Sequence, residues 1–163
     1  MFSDRARLRR GGDRRRIEPE NGRAVAHSKK VSVGFISLGC AKNVADAQVM
    51  AGLLLDAGLA LAPRPEAADV LIVNTCAFIE AARAEAAAAI LQACAHKAAG
   101  GCRGVVVTGC LPQRYGARLL SAFPGVDAVA GIDELDRVPA IVRAVAAGDR
   151  GRVAVSGVPS RLF

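Results

Sequence analysis

The stretch DVLIVNTCAF, residues 69–78, passes from an unbroken apolar run into a polar pair and then a cysteine. A short continuous apolar run bounded by polar residues suits a strand buried on both faces, as in a parallel sheet covered by helices. Two further runs share this form. VSVGFISLGC (31–40) ends in Cys40, and GVVVTGC (104–110) ends in Cys110.

Between these runs the apolar period becomes helical. NVADAQVMAGLLLDAG (43–58) reads as a helix with Asn43 as its N-cap and Gly58 as its stop. AFIEAARAEAAAAILQACAHKAAGG (77–101) reads as an alanine-rich helix ended by glycines, and PQRYGARLLSAF (112–123) as one helix with Pro112 in its first turn. LALAP (59–63) suits a short edge strand, VDAVAG (126–131) a short strand, and LDRVPAIVRAVAAGD (135–149) a helix starting near Pro139. RGRVAVSGVPSRLF (150–163) reads as loop. Strands alternating with helices predict βαβ units. The expected fold is an α/β open parallel sheet with helices on both faces, flavodoxin-like or Rossmann-like.

In such sheets ligands sit beyond the carboxyl ends of the strands. Cys40, Cys76 and Cys110 all fall at that edge, so neighbouring strands would bring them together. Each is also expected just before or within the first turn of a helix, where free backbone N–H groups favour thiolate. Gly39 and Gly109, one residue before two of the cysteines, allow a sharp turn that a side chain would obstruct. Three convergent thiolates form a soft-metal site suited to zinc or an iron–sulfur cluster. Without C-x2-C pairs, the spacing is equally compatible with buried, structural cysteines.

Other chemistry finds less support. The chain has no C-x5-R phosphate loop, no G-x-x-x-x-G-K-[ST] and no G-x-G-x-x-G. His27 and His96, the two histidines, are poorly placed for a Cys–His pair. Cys94, within a helical segment, and Cys102, in the GGCRG turn, lie away from the strand ends and are left out of the site.

The 163 residues suffice for about one domain, and no apolar run approaches the ~20 residues of a membrane span. The arginine-rich start is no secretion signal, so a cytoplasmic protein without membrane contact is expected. The formal charge of +7 is uneven. Residues 1–30 carry ten Lys or Arg against four Asp or Glu, leaving twelve against eleven elsewhere. This segment reads as a disordered basic tail, a solvated extension in its bland reading, that could touch nucleic acid through phosphates.

SLGCAKN (37–43), ADVLIVNTCAFI (68–79), VVVTGCLPQRY (105–115) and FPGVDAVAG (123–131) together resemble the N-terminal domain of the methylthiotransferases. They resemble the branch acting on an aspartate of a small-subunit ribosomal protein more than the tRNA-modifying branch. Ala41 stands where proline is usual and Ala77 where glycine is usual. The resemblance implies that residues 31–148 form an auxiliary-cluster domain in which Cys40, Cys76 and Cys110 ligate a [4Fe-4S] cluster with one iron left open. It also implies a radical domain using S-adenosylmethionine and a second cluster held by C-x3-C-x2-C, then a C-terminal substrate-binding domain. No such cysteine triplet occurs here. Residues 149–163 are accordingly expected to be a linker toward a missing radical domain, and the chain alone to be inactive. The other expectations are a tRNA methylthiotransferase domain or a stand-alone iron–sulfur or metal-binding module. Lys42, Asn43, Asn74, Thr75, Gln113 and Arg114 are weaker candidates, with local backbone bonding or solvation as the simpler reading for most.

Overall fold

The computed structural model describes residues 29–157. The basic segment 1–28 and residues 158–163 lie outside the described residues, as do the expectations attached to them. Six strands form one sheet: β1 (Ser32–Ser37), β2 (Ala60–Leu61), β3 (Val70–Thr75), β4 (Gly104–Gly109), β5 (Ala128–Ala130) and β6 (Arg152–Ala154). Every pairing is parallel, in the order β2-β1-β3-β4-β5-β6. The α/β open sheet expected from the sequence is the observed architecture.

Five helices connect the strands: α1 (Ala41–Asp56), α2 (Glu80–Ala98), α3 (Cys110–Tyr115), α4 (Arg118–Ala122) and α5 (Val138–Ala146). The period-2 alternation of the strands sends their side chains into two separate cores. Val33, Val70, Ile72 and Val106 pack on one face with Met50 and Leu54 of α1 and Ile141, Val142 and Val145 of α5. Leu71, Val73, Val105 and Val107 pack on the other with Ala86, Ile90 and Ala93 of α2 and Leu119 of α4. Every residue of β3 and β4 is buried, which is why these strands read as unbroken apolar runs. Replacing Ile72 with Ala would leave a cavity costing about 2–5 kcal/mol. On its sheet-facing side α2 buries two alanines beside Ile90, and such small side chains let the helix lie close to the sheet.

The structure differs from the sequence reading at five places. Asn43 is no N-cap: Cys40 holds that position, and Asn43 is a buried residue of the first turn of α1. The alanine-rich helix starts at Glu80 rather than at residue 77, so Cys76 stands in a connecting segment. The segment after Cys110 is two helices broken at Gly116, whose φ of 52° and ψ of −133° suit glycine. That break lets α4 turn back over the sheet instead of continuing α3. Residues 152–154, read as loop, form β6, so the sheet continues past residue 148. Its Arg152 and Val153 are exposed, so no apolar alternation marked it, and only pairing with the open side of β5 makes it a strand. The fifth difference, at Cys110, is described with the site.

Gly58 does end α1 as expected. Its φ is 78°, and Leu59 N–H bonds Leu54 O while Gly58 N–H bonds Leu55 O, the backbone closure that spares exposed carbonyls. Among the described residues no helix is long and apolar enough to cross a membrane.

Candidate metal centre at the carboxyl edge of the sheet

The strand order reverses direction of growth between β1 and β3: the chain leaves β1 toward β2 on one side and leaves β3 toward β4 on the other. Helices following these two strands lie on opposite faces, which opens a crevice at the carboxyl edge. Cys40 follows β1, Cys76 follows β3 and Cys110 follows β4. The register decides how closely they emerge. Thr75 pairs with Gly109, so the next residues, Cys76 and Cys110, leave the sheet side by side. Ser37 pairs with Asn74, and Leu38 N–H bonds Asn74 O at 2.9 Å, which brings Gly39 level with Cys76.

That approach is close. A Cβ on Gly39 would lie 2.6 Å from the Cys76 Cβ and 3.4 Å from its Sγ, and Gly39 has φ of 93°. A Cβ on Gly109, at φ 97°, would lie 2.4 Å from the Thr75 carbonyl oxygen. Both glycines predicted to sharpen the turns do so, and a side chain at either would push its cysteine loop away.

Cys40, Cys76 and Cys110 line one cavity of about 600 Å³, walled by Gly39, Lys42, Phe78, Ile79 and the start of α2. Cys76 is buried, Cys110 half-buried and Cys40 exposed. All three are free thiols, and among the described residues none of them makes a hydrogen bond. No three His, Cys, Asp or Glu side chains among the described residues stand close enough together to grip a single metal ion. Burial pushes the Cys110 thiol up from its ordinary pKa, and the neighbouring Cys76 adds to the shift. Lys42 opposes it, while Cys40 and Asp46 reinforce it. The thiolate expected at the helix start thus gives way to the thiol at Cys110, with burial as the largest cause.

A polar row lies directly beneath the thiols. Asn74 Nδ2 donates to the Asn43 carbonyl at 2.8 Å, and Thr108 Oγ1 donates to Asn74 Oδ1 at 3.2 Å. Thr75 Oγ1 donates to the Thr108 carbonyl at 2.7 Å. Asn43 Nδ2 donates to the Leu38 carbonyl at 2.5 Å, and its Oδ1 is buried without a partner. Asn74 and Thr75 thus bond across strands rather than locally. Thr108 was not singled out from the sequence. Its signal was there: Ser37, Asn74 and Thr108 are the polar residues that end three apolar strands, each two or three residues before a cysteine.

The remaining candidates have other partners. Lys42 pairs with Asp46 at 2.5 Å and lines the cavity. Gln113 donates to the Ser156 carbonyl at 2.7 Å and accepts from Ile132 N–H at 3.2 Å, pinning the segment after β6. Arg114 lies over the Tyr115 ring at 5.7 Å and borders a second cavity of about 390 Å³ that shares Phe78 and Cys110 with the first. Cys94 and Cys102 pack into the α2-side core away from the thiol cavity.

The family model described as "Uncharacterized protein family UPF0004" matches residues 32–131, which include all three cysteines, the crevice and the polar row. The chain belongs to this family. It is 48% identical over 122 residues to the ribosomal protein uS12 methylthiotransferase RimO of Symbiobacterium thermophilum, a match covering 75% of this chain and 25% of that protein. RimO of Syntrophus aciditrophicus is 45% identical over 131 residues, covering 78% and 29%. RimO of Trichlorobacter lovleyi is 42% identical over 139 residues, covering 85% and 31%. The chain thus spans between a quarter and a third of the length of these curated relatives. The region it shares with these relatives includes the UPF0004 match.

Proposed function

We propose that this domain holds an auxiliary [4Fe-4S] cluster through Cys40, Cys76 and Cys110, and that it serves a methylthiotransferase acting on a small-subunit ribosomal protein. The observation that carries the reading is the convergence of three unpaired thiols, from three different strands, on one cavity. The donor set fits the group. Three soft sulfur ligands with no competing hydrogen bond suit iron–sulfur chemistry, and the irons of a cubane occupy separate corners, so its ligands stand further apart than those of a single zinc ion. Gly39 and Gly109 let the cysteine-bearing loops lie close to Cys76 and to the end of β3, where a side chain would hold them apart. When bound, such a cluster supplies an iron without a protein ligand, at which an exogenous sulfur species can be held.

The chain's own residues do the rest. Gly39 and the polar row hold the cysteine loops near one another, while Lys42, paired with Asp46, and the exposed Phe78 and Ile79 line the cavity. The names of the relatives support uS12 as the substrate class, with the ribosome as its carrier. S-adenosylmethionine, a second cluster and the substrate-binding surface would belong to the portion of those relatives that this chain does not span. A ribosomal-protein substrate supports a cytoplasmic location.

Anaerobic reconstitution with iron and sulfide tests the reading. About four irons and four labile sulfides per chain are expected, with the loss of most of both in Cys76→Ala. Wild type that stays folded and colourless would reduce the thiols to packing residues. A cluster that never supports methylthiolation of uS12, even with the radical portion of a relative supplied separately, would favour a stand-alone iron–sulfur module.

A further inference from the structure

The three cysteine-bearing segments meet at one side chain, that of Asn74. It lies on the central strand β3, two residues before Cys76, and is 0% exposed. Its Nδ2 donates to the carbonyl of Asn43, three residues after Cys40. Its Oδ1 accepts from the hydroxyl of Thr108, two residues before Cys110. A Cβ on Gly109 would lie 2.8 Å from that same Oδ1, so the turn carrying Cys110 closes over the amide where only glycine fits.

An apolar residue would fill this buried strand position without any need for partners. Burying an amide costs free energy unless both ends are bonded, and here both ends are bonded to neighbouring strands' segments rather than to its own loop. The planar amide is therefore a rigid spacer of fixed length between the first turn of α1 and the end of β4. The sheet's own ladder does not supply this. Backbone bonding fixes β3 against β1 as far as Leu38 and against β4 as far as Gly109, whereas Cys40 lies two residues past Leu38 at the start of α1.

We propose that Asn74 is a positioning residue that sets the separations among the Cys40, Cys76 and Cys110 sulfurs. The role toward a cluster rests on the ligand reading above. The spacing of the thiols does not.

The test uses the full chain and three variants. Asn74→Asp keeps size and the acceptor for Thr108 but removes the donor and sets oxygen against the Asn43 carbonyl. Thr108→Val removes one hydroxyl and keeps the shape, so it carries the test even if Asn74→Asp does not fold. Ser32→Ala removes a hydroxyl bonded to Asp69 at the far end of β1 and serves as a control for general destabilisation. In the metal-free chain, a short bis-maleimide followed by digestion and mass spectrometry reads the Cys40–Cys76 and Cys76–Cys110 pairs. After reconstitution, the rate of iron loss to a chelator and the electron paramagnetic resonance line shape of the reduced protein are measured.

Asn74→Asp is expected to lower the Cys40–Cys76 cross-link and Thr108→Val the Cys76–Cys110 cross-link. Both should speed iron loss by roughly two- to tenfold, the scale of one hydrogen bond, with an altered line shape. Ser32→Ala should match wild type in all of these while melting earlier. Unchanged cross-linking in folded Asn74→Asp and Thr108→Val overturns the proposal, and so does an equal change in Ser32→Ala. If wild type takes up no iron while the cross-link losses stay confined to the Asn74 and Thr108 variants, the positioning role stands and the cluster reading falls.

Discussion

The two edges of the sheet use their polar side chains in opposite ways. At the amino edge each carboxylate is spent. Asp127, just before β5, is 1% exposed and accepts from Val105 N–H at 2.8 Å and from Lys97 Nζ at 2.7 and 2.8 Å, with Arg150 at 2.9 Å. Asp69, just before β3, accepts from both the N–H and the hydroxyl of Ser32 at 2.9 Å, with Arg103 at 3.4 Å. At the carboxyl edge three thiols and the side-chain amide oxygen Oδ1 of Asn43 are left without hydrogen-bond partners among the described residues. One edge closes the fold, and the other keeps donors available. The bonded carboxylates and the unpartnered thiols are thereby separated by the length of the strands.

This contrast yields predictions that would break it. The largest effect is expected at Asp127. Asp127→Ala strands the Lys97 ammonium and the Val105 N–H, and urea denaturation should show a loss of about 3 kcal/mol. Protein that remains folded should still bind metal normally. An intact melting curve would show that the amino edge is not the structural end.

A smaller loss, about 1 kcal/mol, is expected from Ser32→Ala, which removes one hydroxyl from a partly buried hydrogen-bonded pair. Its partner Asp69 also predicts a pH dependence. Partial burial works against the Asp69 charge, but the bonds from Ser32 and the charges of Arg103 and Lys29 outweigh it and hold its pKa below the ordinary 3.8. Because the folded value is the lower one, this stabilisation is fully present above 3.8 and is lost as pH falls through the folded value. Asp69→Asn should therefore be less stable than wild type near neutrality, with a flatter pH dependence that converges on wild type at the acid limb. A difference that grows as pH falls into the acid limb would contradict the sign.

The smallest stability effect is expected at the carboxyl edge. A Cys40→Ala, Cys76→Ala, Cys110→Ala triple variant should change the metal-free folding free energy by less than about 1 kcal/mol, since cysteine here acts as a small, partly exposed apolar residue. It should nevertheless lose all iron uptake on reconstitution. A large drop in metal-free stability would mean that the thiols are core residues after all, and the contrast between the edges would collapse.

Much of this arrangement was legible in the chain itself. The centres of DVLIVN and GVVVTG are short apolar runs rich in β-branched residues and bounded by polar residues or glycine, which suits a strand covered on both faces. The cysteines were visible as strand-end residues for the same reason. What misled was local. Asn43 has the residue type of a cap, but its side chain turns inward to the Leu38 carbonyl. Gly116 sits within a plausible helical pattern and breaks it. Residues 152–154 carry exposed Arg and Val, and become a strand only because β5 offers an unpaired side.

By itself, then, the sequence determined the alternation of strands and helices, the placing of Cys40, Cys76 and Cys110 at one edge, and the glycines that clear their way, because each depends on periodicity or backbone freedom within a few residues. The tertiary structure alone decided that Thr75 faces Gly109, that Gly39 meets Cys76, and that Asn74 reaches both neighbours. Register is a relation between segments more than thirty residues apart, fixed by which apolar faces fill the two cores, and no local pattern encodes it.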